Sequence, residues 1–286
     1  MQNDRNRWLV GTDWLAANLA APDLVVIDGS WHMPATGRNA RAEHQEKRIP
    51  GAVFFDIDEI SDETSPLPHM LPSTVKFSSR MRKLGIGDGA RIVVYDTIGL
   101  YSAPRVWWMF RAMGKGDVAV LDGGLPKWLA EDRLTEDGPP ARRVERHFTA
   151  RLNRELLRER DDVATALKTG AEQIVDARPA GRFAGREPEP RAGLRGGHMP
   201  RAKNVPFSEL VATDGTLKPI DDLRRAFAER GIDLSRPITT TCGSGVTAAI
   251  DLLALAVLGH KQAALYDGSW SEWGADPALP VATGPG

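Results

Sequence analysis

The one cysteine of the chain, Cys242, stands in the run Thr240-Thr241-Cys242-Gly243-Ser244-Gly245-Val246-Thr247. Gly243 and Gly245 let the backbone curl tightly, so that successive N–H groups turn towards one spot. A thiol in such a nest is favoured as the thiolate, its nucleophilic form, and the nest also suits an anionic substrate. The plainer alternative is a small buried hydrophobe, as most lone cysteines are. A generic buried cysteine has no need of Gly-Ser-Gly at the start of a helix, which favours the reactive reading. Arg182 and Arg191 stand nine positions apart around a loop rich in glycine and proline. Two permanently charged forks suit a carboxylate and a neighbouring carbonyl oxygen, although an arginine in an Arg-rich chain is more often a solvated surface residue. His69, between Pro68 and Met70, reads by itself as a loop histidine. The acidic run Asp56, Asp58, Glu59, Asp62 and Glu63 lacks the glycine that a calcium loop needs at its sharp turn.

These groups need elements to carry them. Pro237-Ile238-Thr239-Thr240-Thr241 is brief and β-branched and predicts a strand leading into the thiol. Ala248 to Leu258 is a strong helix former closed by Gly259, apolar nearly all round with one charge, and so predicts a buried helix. The helix N-terminus adds partial positive charge beside the cysteine. Elsewhere Leu24-Val25-Val26-Ile27-Asp28-Gly29, Ile92-Val93-Val94-Tyr95-Asp96 and Val118-Ala119-Val120-Leu121-Asp122-Gly123 are continuous apolar runs, the mark of strands buried on both faces. A helical stretch, Tyr101 to Met113, separates the last two, which makes the chain α/β.

The pattern occurs twice. Asp176 closes Ile174-Val175-Asp176 148 positions after Asp28, and Met199-Pro200-Arg201-Ala202 answers Ile49-Pro50-Gly51-Ala52 at 150. Cys242 answers Asp96 at 146, and Tyr266-Asp267-Gly268 answers Leu121-Asp122-Gly123 at 145. Offsets this constant indicate a duplicated domain. The expected boundaries are residues 8–133, a linker at 134–153 and residues 154–286. Only the second copy has a thiol. In open α/β sheets, ligands sit beyond the carboxyl ends of the strands, where Cys242 falls.

With 286 residues and a net charge of −1, the chain has room for two domains and no electrostatic footprint for nucleic acid or an acidic membrane. A single cysteine excludes an internal disulfide and any cysteine-rich metal site. Met1 to Arg7 lacks the apolar core of a signal peptide, and no apolar run reaches membrane-spanning length. The expectation is a soluble, cytoplasmic protein.

The tandem repeat with Cys-Gly-Ser-Gly-Val-Thr in its second copy resembles the rhodanese superfamily, and within it the tandem-domain 3-mercaptopyruvate sulfurtransferases. Tyr101-Ser102-Ala103-Pro104-Arg105-Val106-Trp107-Trp108, His69-Met70-Leu71-Pro72 and Glu187-Pro188-Glu189-Pro190-Arg191 carry the same likeness. Relatives that prefer thiosulfate typically have Cys-Arg-Lys-Gly-Val-Thr in the loop. The resemblance implies two tandem rhodanese-like domains, each a mainly parallel sheet flanked by helices. It implies an enzyme that takes sulfur from 3-mercaptopyruvate onto Cys242 as a persulfide and passes it to a thiol or cyanide, releasing pyruvate. By the same likeness Ser244, His69 and Asp58 match a proposed catalytic relay, Arg182 and Arg191 bind substrate, and Gly243, Gly245, Val246 and Thr247 form the loop that holds it. Arg178 is expected to support that loop, Trp31 to wall the pocket, and His198 to serve a turn. No cofactor or metal is called for. With no second cysteine, the acceptor is an external thiol such as thioredoxin or a small molecule.

Overall fold

The apolar runs lie at the centre of each half because both of their faces are covered. The computed structural model describes residues 4–285. The first half contains strands β1 (Leu9–Val10), β2 (Leu24–Asp28), β3 (Val53–Phe54), β4 (Arg91–Tyr95) and β5 (Val118–Leu121). The second contains β6 (Leu157–Arg158), β7 (Gln173–Asp176), β8 (Lys203–Asn204), β9 (Ile238–Thr241) and β10 (Ala263–Tyr266). The two sheets have the same order, β1-β5-β4-β2-β3 and β6-β10-β9-β7-β8, and every pairing in them is parallel. In the first, Asp28 pairs with Tyr95; in the second, Asp176 pairs with Thr241. Parallel pairing places all the strand ends, and the loops that follow them, on one side of each sheet.

The helices are α1 (Arg5–Trp8), α2 (Thr12–Asn18), α3 (Ala40–Glu46), α4 (Thr74–Lys83), α5 (Ala103–Ala112) and α6 (Gly124–Ala130) in the first half. In the second they are α7 (Arg160–Thr169), α8 (Ala180–Phe183), α9 (Ile220–Glu229), α10 (Ala248–Val257) and α11 (Ser269–Trp273). All ten residues of α10 are buried, as its composition predicts, and α10 packs against α5 of the other half. Trp107 and Trp108 of α5 share one core with Leu252 and Leu253 of α10, while each sheet's outer face has a separate core. A buried side chain of this size contributes roughly 1.5–3 kcal/mol, so the halves are fused by their interiors. Among the described residues, no helix is long and apolar enough to cross a membrane.

The stretch 134–153 contains no helix or strand, yet it is tied to the first half. Arg48 donates to the carbonyls of Asp137 and Gly138, Asp88 N donates to His147 O, and Phe148 is buried between Phe77 and Phe110. A linker by sequence is thus a strap by packing.

Candidate active site

The thiol follows directly from β9. Cys242 is 2% exposed and sits where β9 ends and the turn into α10 begins. Its N–H donates to Ser269 Oγ at 3.2 Å, and its carbonyl accepts from Trp270 N at 2.9 Å, so α11 pins the loop from outside. Gly245 has φ +77°, and a Cβ there would lie 2.8 Å from Arg105 Nη1, so the turn requires glycine. Gly243 corrects the reading that both glycines serve to curl the chain. It is not among the left-handed residues; a Cβ there would instead stand 3.1 Å from Arg182 Nη2. Its role is to let a guanidinium approach.

The arginines are held by buried acids. Asp176, at the end of β7, accepts from Arg178 Nε and Nη2, and Arg178 also donates to Gly197 O and lies 4.2 Å over Trp270. Arg178 Nη1 reaches Glu189 Oε1 at 2.7 Å, and Arg182 bonds the other oxygen of Glu189 through Nε and Nη2. Arg178 is therefore committed to the scaffold, and Arg182 is presented beside Gly243. Arg191 pairs with no carboxylate among the described residues; its Nη2 lies 3.3 Å from His69 Nε2. Burial pulls the Arg191 guanidinium below its ordinary value, the charge of Cys242 opposes this, and Arg182 adds to it. A half-buried cation in this position favours an anion beside it.

The first half closes the site. His69 has φ +62°, uncommon for a residue with a side chain. Asp58 Oδ1 lies 2.7 Å from His69 Nδ1, off-line for a hydrogen bond. Trp31 crosses the imidazole edge-on at 4.7 Å and donates from Nε1 to Asp58 Oδ2 at 3.0 Å. Burial pushes the Asp58 carboxyl up, but His69, the Trp31 N–H and the Arg191 charge outweigh it and leave it below the ordinary range. Asp58 and His69 are thus together, and Ser244 lines the same cavity as Cys242. No hydrogen bond joins His69 to Ser244 among the described residues: Nε2 faces Arg191 instead. An Nε2 accepting from a guanidinium leaves the ring proton on Nδ1, towards Asp58.

Between the halves lies a cavity of about 190 Å³, walled by Trp31 and Tyr101 from one side and by Arg182, Arg191, Cys242 and Val246 from the other. Thr247 also lines it, and the volume suits a metabolite of a few heavy atoms. A groove of about 770 Å³ by Arg91 and Lys115, at the amino ends of β4 and β5, has no thiol. Burial raises the Tyr101 hydroxyl above its ordinary value, with the Cys242 charge adding to it. His198 is buried, bonded to Phe183 O and stacked on Phe183. Sequence reasoning missed Glu189, Tyr101 and Arg105. An acid seven positions after one arginine and two before the other was the available signal for Glu189; for Arg105 it was a cation inside an apolar helix.

A rhodanese-like domain model matches the chain twice, over residues 11–131 and 159–276. The chain belongs to the rhodanese family. Both halves match, yet only the second rhodanese-like domain has the thiol. Over 275 residues, the chain is 48% identical to the 3-mercaptopyruvate sulfurtransferase of Escherichia coli (strain K12), covering 96% of this chain and 97% of that one. It is 44% identical to the Homo sapiens 3-mercaptopyruvate sulfurtransferase, over 93% and 92% of the two chains, and 45% identical to a Rattus norvegicus thiosulfate sulfurtransferase, again over 93% and 92%. The crystal structure of SseA from Escherichia coli superposes with a TM-score of 0.85 at 46% identity, covering 93% of this chain and 99% of that one.

Proposed function

We propose that this rhodanese-family protein is a 3-mercaptopyruvate sulfurtransferase working through a persulfide on Cys242. The observation that carries the reading is the single thiol set in a charge-neutral loop, with Arg182 and Arg191 across one small cavity. The arginines grip the carboxylate and carbonyl of the donor. The Cys242 thiolate attacks the donor's sulfur; the S–S bond forms, the C–S bond breaks, and its electron pair moves into the enolate of pyruvate. The proton lost by the donor thiol returns to the enolate carbon, so the products are the persulfide anion and pyruvate. Asp58, His69 and Ser244 carry that proton, with His69 Nε2 turning from Arg191 towards Ser244 once a carboxylate engages the guanidinium. Loop N–H groups stabilise the charge on the outer sulfur.

The second reading is thiosulfate as donor, favoured by the rat thiosulfate sulfurtransferase at 45% identity. The loop argues against it. Thiosulfate is a compact dianion that gains from cations beside the thiol, and Gly243-Ser244 supplies none. The acceptor is an external thiol, thioredoxin or a small molecule, and a reducing cytoplasm suits a free thiol of this kind. Incubation with mercaptopyruvate alone should release pyruvate and add the mass of one sulfur atom to the peptide containing Cys242. Faster sulfite release from thiosulfate than pyruvate release from mercaptopyruvate would transfer the assignment to the second reading.

A further inference from the structure

Besides Trp31 and Tyr101, the first half reaches the site through a residue that does not line the cavity. Arg105 on α5 is fully buried, and its guanidinium spends its donors on three acceptors, all outside α5. Nη1 donates to Asp267 Oδ1 at 2.6 Å and to the carbonyl of Gly245 at 3.3 Å, and Nη2 donates to the carbonyl of His69. Its plane lies 4.4 Å from the Trp108 ring, while Nε is buried with no acceptor. Asp267 in turn accepts from Leu71 N at 2.6 Å, two residues beyond His69. One rigid fork therefore fixes the His69 loop of the first half against the cysteine loop of the second.

We propose that Arg105 is a positioning residue for sulfur transfer, setting the reach of the His69 imidazole over the Cys242 loop. Two comparisons within the molecule support this. Position 215, 146 residues after His69, is a glycine with φ +80°, so the same left-handed turn is made there without strain. Holding a histidine in that conformation needs an external grip, and the Arg105 bond to its carbonyl is one. The pseudo-equivalent junction is also held differently. There Arg5 donates to Asp122 and to the carbonyls of Leu217 and Lys218, from a side chain that is 26% exposed. Only the junction beside the thiol uses a cation sealed from water, at the cost of an unsatisfied Nε.

The proposal rests on the sulfurtransferase reading and has its own test. Steady-state pyruvate release from mercaptopyruvate is compared for wild type, Arg105→Lys, His69→Ala and the double variant, each normalised to folded protein. Lysine keeps the charge but loses the fork. Arg105→Lys should lower kcat roughly 10²-fold, the scale of a small misplacement of a catalytic group, with KM within about threefold because Arg182 and Arg191 are untouched. The double variant should lose no more than His69→Ala alone, since both changes remove the same contribution. An unchanged kcat in Arg105→Lys, or losses that multiply in the double variant, would overturn the proposal. If Arg105→Lys does not fold, Asp267→Asn takes its place, with about a tenfold loss that is likewise absent on the His69→Ala background; a loss persisting there would overturn it equally. A wild type that releases no pyruvate defeats the functional reading instead.

Discussion

The two halves build the same cradle and fill it differently. In the first, the Asp96 carboxylate is fully buried and accepts five backbone N–H bonds: Ile98 and Gly99 on Oδ1, and Tyr101, Ser102 and Ala103 on Oδ2, all at 2.8–2.9 Å. In the second, the matching positions 146 residues later are Ser244, Gly245, Thr247, Ala248 and Ala249, around Cys242. There Ala249 N already donates to Val246 O at 3.3 Å, so the second cradle has at most four of these N–H groups to offer an anion. A persulfide, –CH2–S–S⁻, carries its terminal anion the same number of bonds from Cα as a carboxylate, –CH2–C–O⁻. Asp96 is thus a permanent occupant of the kind of site that the proposed persulfide would occupy for one turnover. The nest is an anion site by construction, and the duplication separates its structural use from its chemical one.

The largest effect follows from making the halves alike. Cys242→Asp should abolish sulfur transfer altogether, yet raise stability over Cys242→Ala by about 1.5–3 kcal/mol, the scale of bonds to a charged acceptor. For a chain of this size that is on the order of 2–5 °C in Tm, read by thermal unfolding beside pyruvate release. An Asp variant less stable than the Ala variant would show that the second cradle is not set for an anion. The reverse change, Asp96→Ala, leaves five backbone donors unanswered, three of them buried, and should cost about 3–5 kcal/mol in denaturant unfolding. Activity per folded molecule should fall far less than in Cys242→Asp, because Asp96 reaches the cavity only through the backbone of Tyr101 and touches neither the thiol nor its arginines.

A smaller effect compares the arginines of the two halves. Arg38 is bonded bidentately to Glu43 at 2.7 and 2.8 Å, whereas Arg191 has no such partner and faces the cavity. Arg191→Gln should weaken use of mercaptopyruvate by about 1.5–3 kcal/mol, mostly in KM, since a carboxylate is gripped alike in ground and transition states. Arg38→Gln should leave both constants within twofold, roughly 0.4 kcal/mol. Equal effects at the two positions would mean that the comparison says nothing about substrate.

The sequence displayed whatever depends on one stretch of chain. β2, β9 and α10 are legible as apolar runs, and the offsets of 145–150 indicate the duplication that gives the two sheets one strand order. Contacts between stretches far apart in the chain are not legible. Gly243 reads as a bend and proves to be clearance for Arg182, which comes from α8 some sixty residues earlier. Arg105 lies in a stretch that reads as ordinary core helix, and its three acceptors are distributed over 36 to 162 residues of sequence. Periodicity reports which face of an element is buried, not what meets that face.

The smallest effect concerns the counterpart of Arg105. Position 251, 146 residues on, is an aspartate that is fully buried in α10 with neither oxygen bonded among the described residues. Burial pushes its carboxyl well above the ordinary range, and the negative charges of Cys242, Asp176 and Glu209 push it the same way. A raised folded-state value means that the native protein keeps the proton where the unfolded chain releases it. The penalty is therefore absent below the unfolded value near 4 and grows as pH rises from there towards the folded value. Carboxyls held below their ordinary range, such as Asp58 and Glu43, slope the opposite way, so wild type alone does not isolate it. Asp251→Asn removes the proton and keeps the shape. Its stability relative to wild type should rise with pH by up to about 1.4 kcal/mol per unit between pH 5 and 6, measured by denaturant unfolding at each pH. A difference that stays flat across that window would mean Asp251 is paired or solvated in solution, and the contrast with Arg105 would reduce to one cation and one silent neighbour.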